Sequence, residues 1–185
     1  MAKAIKNNIR YVAFLRGVNV GGHTVIAMAD LKKIFEKMGF TDVRTILASG
    51  NVMFESGESG RDELTAMIQA GLRKEFARDM GVIVRAMDDI VEWKAMDPFQ
   101  GVRMTPDIRL YVTFLPDGAP RPAKSALPAS PDGAFRVVKV DAGEVFSVVD
   151  LSMGKGTPEA MAMLEKEYGS GVTTRNWNTV LKLLA

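Results

Sequence analysis

Val43-Arg44-Thr45-Ile46-Leu47-Ala48-Ser49-Gly50-Asn51-Val52-Met53-Phe54-Glu55 reads as a hairpin. Residues 43–48 and 52–55 are strand-like, and Ser49-Gly50-Asn51 between them is a turn composition in which Gly50 and Asn51 both tolerate positive φ. On its N-terminal side Leu31, Ile34, Phe35 and Met38 fall at i, i+3, i+4 and i+7, which predicts a helix that starts near Met28 and ends at Gly39. On its C-terminal side Leu64, Met67, Ile68, Leu72 and Phe76 keep helical spacing across residues 61–79, and Gly81 then opens the apolar strand Val82-Ile83-Val84. Farther out, residues 10–15 are apolar on both alternating sets, which suits a strand covered on both faces. The order is β-α-β-β-α-β, the ferredoxin-like arrangement of two helices on one face of a four-stranded antiparallel sheet.

The second half repeats that order. A helix from Asp88, anchored by Trp93, ends before Asp97-Pro98, and residues 97–106 form a connector. Residues 107–115 alternate as a strand, and the proline-rich 116–131 allows one helical turn at 123–127. Residues 135–140 and 144–149 pair around Asp141-Ala142-Gly143, and Thr157 caps a helix with Pro158 at its first position, which Gly169 to Gly171 end. Val172-Thr173 adds a short edge strand, and a last helix carries Trp177, Val180, Leu181 and Leu184 on one face. The expected fold class is α+β, with two ferredoxin-like units over residues 1–96 and 97–185 and an extra C-terminal helix. No self-similarity is evident, so the duplication rests on element order. Each sheet keeps apolar residues on the face away from its helices, to be buried by the other repeat or by a second copy, so a monomer or a homodimer is expected.

Composition narrows the function classes. At 185 residues, 47% hydrophobic and 25% charged, the chain has ordinary globular usage. Lys and Arg exceed Asp and Glu by 24 to 22, a net +2 that neither demands nor forbids an anionic partner. Zero cysteines and one histidine remove disulfides, thiolate sites and every site needing two imidazoles, so neither metal nor cofactor is expected. No leader-like segment or long apolar stretch occurs, and a cytoplasmic protein without a membrane span is expected.

Three polar segments interrupt the apolar pattern. Gly17 to Thr24 reads G-x-x-x-x-G-H-T, one residue from the phosphate loop, but the lysine is missing and Val25-Ile26 delays the helix, which argues against nucleotide hydrolysis. Gly154-Lys155-Gly156-Thr157 has the lysine without the first glycine and reads as a helix entry. Arg16, Gly17, Asn19, Gly21 and Gly22 suit either a nest of converging amides for an anion or a tight connection needing positive φ. Ser49 and Asn51 offer a hydroxyl and an amide, and turn formation alone also explains them. Arg175 and Asn176 are placed in the first turn of the last helix behind a Thr174 cap, where a cation opposes the macrodipole and calls for a bound anion or a buried carboxylate. Trp177 reads as a core anchor, and Asp88 and Asp89 as cap and dipole partners. His23 is a conceivable general base or a solvated loop residue, and no catalytic residue is assigned.

The favoured reading is binding of a small anionic or phosphorylated ligand by residues 16–22, 49–51 and 175–176. A cofactor-independent enzyme acting on such a ligand is the alternative. A nucleic-acid module ranks last: Ser49 and Asn51 stand where strand-three stacking aromatics belong, leaving Phe54 and Tyr11, and the cations are interspersed with acids.

The segments Val12-Ala13-Phe14-Leu15-Arg16-Gly17-Val18-Asn19-Val20-Gly21-Gly22, Ala48-Ser49-Gly50-Asn51-Val52-Met53-Phe54 and Thr173-Thr174-Arg175-Asn176-Trp177-Asn178-Thr179-Val180 together resemble the family called domain of unknown function 1697. The resemblance spans nearly the whole chain. It implies a compact α+β fold and no established activity.

Overall fold

The structure, a computed structural model, describes residues 8–19, 25–57, 60–119, 127–154 and 156–185. The chain divides into two compact units, Met1–Val91 and Glu92–Ala185. The first contains β1 (Ile9–Leu15), α1 (Met28–Lys37), β2 (Thr41–Ile46), β3 (Asn51–Ser56), α2 (Arg61–Phe76) and β4 (Val82–Ala86). Its sheet runs β2-β3-β1-β4 with antiparallel neighbours, the ferredoxin-like order. Tyr11, Ala13, Leu15, Val52 and Phe54 share a core with Leu31 and Phe35 of α1 and with Leu64 and Ile68 of α2.

Local chemistry explains the boundaries. The α1 helix ends where Gly39 adopts φ 92° and the Phe40 amide reaches back to the Phe35 carbonyl at 3.3 Å. The α2 helix stops at Phe76 rather than 79 because Ala77 turns left-handed at φ 52°, its amide closing on the Arg73 carbonyl. In the hairpin turn the positive φ values fall on Leu47 and Gly50, and Asn51 already belongs to β3. The helix α3 (Met87–Met96) follows β4 and spans the boundary between units.

The second unit contains β5 (Ile108–Phe114), β6 (Phe135–Asp141), β7 (Glu144–Asp150), α4 (Thr157–Tyr168), β8 (Thr173–Asn176), α5 (Trp177–Leu181) and a closing 3-10 turn, Lys182–Leu184. Its order, β6-β7-β5-β8, repeats the first sheet. Ala160, Leu164 and Tyr168 of α4 cover one face. On the other, Trp93 packs against Phe114 and Phe146, and Phe99 and Trp177 against Phe146, with ring centroids 5.7–6.4 Å apart. The helical turn expected at 123–127 lies, but for Leu127, outside the described residues.

Two expectations are corrected. Gly156 rather than Thr157 is the N-cap of α4; Thr157 is inside the helix, and its hydroxyl meets Tyr111 OH at 3.1 Å. The last helix begins at Trp177, so Arg175 lies in β8 and not in a helical turn. Pairing of residues 173–176 along β5 satisfies backbone groups that a helix start would leave open.

The registers also overturn the absence of self-similarity. With the strands superimposed by pairing, Tyr11-Val12-Ala13-Phe14-Leu15 corresponds to Tyr111-Val112-Thr113-Phe114-Leu115. The Leu15 amide donates to the Gly50 carbonyl at 2.8 Å, and the Leu115 amide to Gly143 at 2.8 Å. Gly81 lies under the Arg16 stem as Gly171 lies under Pro116: an added Cβ would meet them at 3.1 and 3.2 Å. A five-residue likeness is too short to stand out in the sequence alone, but register makes it a frame for the whole repeat. No helix among the described residues is long and apolar enough to cross a membrane.

Candidate functional site

At one end of the first sheet three connections converge. Leu15 bonds Gly50, and the Arg16 amide donates to the Gly81 carbonyl at 2.8 Å, so residues 16–19, the 47–50 turn and the 77–81 connection are joined by backbone hydrogen bonds. Gly50 is there for two reasons: its φ is 74°, and a Cβ would sit 2.9 Å from Val18 Cβ.

Asn19 staples this end together. Its carboxamide nitrogen donates to Ala48 O at 2.9 Å and Ile26 O at 3.1 Å, while its oxygen accepts from the Ile26 amide at 2.7 Å. Asn51 is fully buried and donates to Ile46 O and Ser49 Oγ, both at 3.0 Å. Both asparagines belong to segments expected to bind the ligand; their amide hydrogens instead hold the loops, because irregular backbone needs side-chain partners for groups that no ladder satisfies. Arg16 is half-buried, and Gly17 is exposed with φ 68°. Gly21, Gly22 and His23 lie outside the described residues.

A residue that the sequence reading missed stands in the third connection. Arg78 is half-buried, and its Nε and Nη2 atoms are buried with no hydrogen-bond partner among the described residues. The neighbouring carboxylate, Asp79, pairs with Arg73 instead. Nε and Nη2 form the edge of a guanidinium that grips carboxylate or phosphate with two parallel hydrogen bonds. Leaving such donors buried and unmade costs about 1–3 kcal/mol, more for a charged group. In sequence Ala77-Arg78-Asp79 looks like a solvated helix end and carries no signal of this.

Arg175 and Asn176 belong to the second unit. Arg175 pairs in register with Val112, as Arg85 does with Val12, and each Nη1 donates to the preceding residue's carbonyl at 2.9 Å. Neither guanidinium is free, so this arginine is a repeated feature of the fold. Burial lowers the Arg175 pKa to about 10, which leaves it cationic at neutral pH. Asn176 caps α5, its Oδ1 accepting from the Asn178 amide at 2.9 Å. Of the three predicted segments, then, the structure joins residues 16–19 to 49–51 within the first unit, and the third is part of β8.

Other candidates resolve into structure. Tyr11 and Phe54, the two aromatics left for base stacking, are buried on the helix side of the first sheet with ring centroids 5.7 Å apart. Burial raises the Tyr11 pKa. Lys32 pairs with Glu36 and Lys33 with Asp30, each at 3.7 Å on solvated helix faces. Asp89 accepts from the Ala86 amide at 3.1 Å and lies 3.8 Å from Arg61, a cap and ion pair. No group of metal-ligating side chains occurs among the described residues.

A family model described as "Protein of unknown function (DUF1697)" matches residues 9–146. No curated protein matches. Among solved structures, a conserved bacterial protein, SP0830 from Streptococcus pneumoniae, is similar with a TM-score of 0.65 at 18% identity, over 95% of this chain and 97% of that one. That likeness is one of fold.

Proposed function

As the chain belongs to the DUF1697 family of proteins of unknown function, we propose its function from its own residues: it binds a small anionic or phosphorylated ligand at the loop end of the first sheet. One observation carries the reading, the Arg78 Nε–Nη2 edge buried without an acceptor. Arg16 adds a second cation on a connection bonded to the one that holds Arg78. Gly17 and Ser49 contribute an amide and a hydroxyl, and Asn19 and Asn51 act as positioning residues.

The repeat separates what the fold needs from what a ligand needs. Both units have the leucine amide on a turn glycine and the glycine under the next residue's side chain, so those features are architectural. Pro116 and Ala119 occupy the positions of Arg16 and Asn19 in the second unit, so the fold does not require the polar residues of the first.

The test is a thermal-shift screen with inorganic phosphate, nucleotides, sugar phosphates and small carboxylates. A ligand at a hundred times its Kd adds about 2.7 kcal/mol of stability. That shift is expected in the parent and absent in Arg78→Gln. A flat response across the panel, or an Arg78→Gln protein that responds like the parent, overturns the proposal.

A further inference from the structure

We propose that the second unit carries a separate site for a small organic carboxylate with an apolar body, at the corner where β5 begins and β8 ends. A cavity of about 300 Å³ opens there, within the range of small-ligand pockets. Arg109, Asn176 and Asn178 line it together with Met104, Ile108 and Leu110.

Arg109 is preorganised for such a ligand. Its Nη1 donates to the Pro106 and Ile108 carbonyls at 2.6 and 3.0 Å, which fixes the guanidinium plane. The opposite edge, Nε and Nη2, has no partner among the described residues and is the edge that grips a carboxylate with two hydrogen bonds. The Asn178 side chain is exposed and without a partner among the described residues, and the Asn176 nitrogen remains after its oxygen has capped α5. No carboxylate lines the cavity, so every charge and most free polar hydrogens in it favour an anion.

The apolar wall selects against a bare inorganic anion. Ile108 and Leu110 are among the residues that line the cavity, and Met104, 57% exposed, is an adjustable side chain able to close over an alkyl or aryl group. The repeat reaches the same strand order without these side chains, Asn176 serving also as the cap of α5. Register places Ile9, Ala86 and Asp88 of the first unit where Arg109, Asn176 and Asn178 stand in the second.

The experiment is a nitrogen-edited NMR titration of the full chain with butanoate and hexanoate, and with hexylammonium and inorganic phosphate as controls. Saturable shifts are expected at the Asn178 carboxamide and the Arg109 Nε–H with both carboxylates, about tenfold tighter for hexanoate, since a buried methylene gives about fourfold at most. Arg109→Gln is expected to weaken hexanoate at least tenfold. Asn178→Leu, at an exposed position where folding is not at stake, is expected to weaken it severalfold at an unchanged melting temperature. Arg78→Met is expected to leave these shifts intact, which separates this site from the first-unit anion site. No saturable shift at tens of millimolar hexanoate, equal binding by phosphate or hexylammonium at the same signals, or an Arg109→Gln protein that binds like the parent overturns the proposal.

Discussion

The loop ends of the two sheets are built on one plan and differ in chemistry. In each, a leucine amide at the end of the first strand bonds a glycine carbonyl in the hairpin turn, and a glycine before the fourth strand makes room for the residue after that leucine. In the first unit that residue is Arg16, and the loop is pinned by Asn19; in the second they are Pro116 and Ala119, and a simple turn closes from the Ala119 amide to the Pro116 carbonyl at 3.1 Å. Three residues before the shared glycine the first unit places Arg78 and the second Tyr168, both with buried polar atoms that lack partners. A neutral hydroxyl tolerates that position at modest cost, whereas a guanidinium calls for an anion. The lesson is that the glycines the two units share report the fold, and the cations that one unit has and its repeat lacks are not required by it.

The most damaging change to the first unit's loop end is expected at Gly50. Gly50→Ala combines left-handed strain with a Cβ placed only 2.9 Å from Val18 Cβ. It should cost about 3 kcal/mol in urea unfolding. Gly17→Ala, with the same sign of φ and open space around it, should cost about 1 kcal/mol. Equal losses would break the claim that close approach, and not φ alone, selects Gly50. Next is Asn19→Ala, which strands the half-buried amide and carbonyl of Ile26 and frees the exposed Ala48 carbonyl to water. A loss of about 2 kcal/mol is expected from denaturation midpoints; a neutral result would mean the loop closes as its counterpart does around Ala119.

Arg78→Met is expected to move the other way, raising stability by about 1 kcal/mol by removing an unpaired buried charge while abolishing the phosphate-induced thermal shift. A destabilised variant would indicate that the guanidinium has an acceptor. The smallest effect at neutral pH belongs to Tyr168→Phe, below about 0.5 kcal/mol. Burial pushes the Tyr168 hydroxyl up to about 12 from 10.0, so the unfolded chain loses this proton first. The stability it represents is full below pH 10 and falls as pH rises toward 12. The variant should flatten that alkaline decline in stability measured against pH, and an unchanged slope would exclude Tyr168 as its source.

Most of the fold was legible because it rests on short-range patterns. Helical spacing at Leu31 to Met38, the turn composition at Ser49-Gly50 and a glycine stop at Gly39 each act within one element, where the nearest neighbours in sequence are the physical neighbours. The errors came where two local preferences compete. Thr174 to Asn176 satisfies a helix start on paper, and pairing with β5 extends the edge strand read at Thr173 through them; the left-handed Ala77 is no signal until the chain must turn back toward Gly81.

The site divides along the same line. Sequence by itself determined the element order, the apolar faces and the polar segments that interrupt them, since composition and period suffice for those. Only the tertiary structure decided that Asn19 and Asn51 are staples, that Arg175 repeats Arg85, and that Arg78 and Arg109 keep open edges. The physical reason is that an unmet hydrogen bond is a property of what surrounds a group in three dimensions. A one-dimensional chain does not yet say which donors will find acceptors when its distant loops meet.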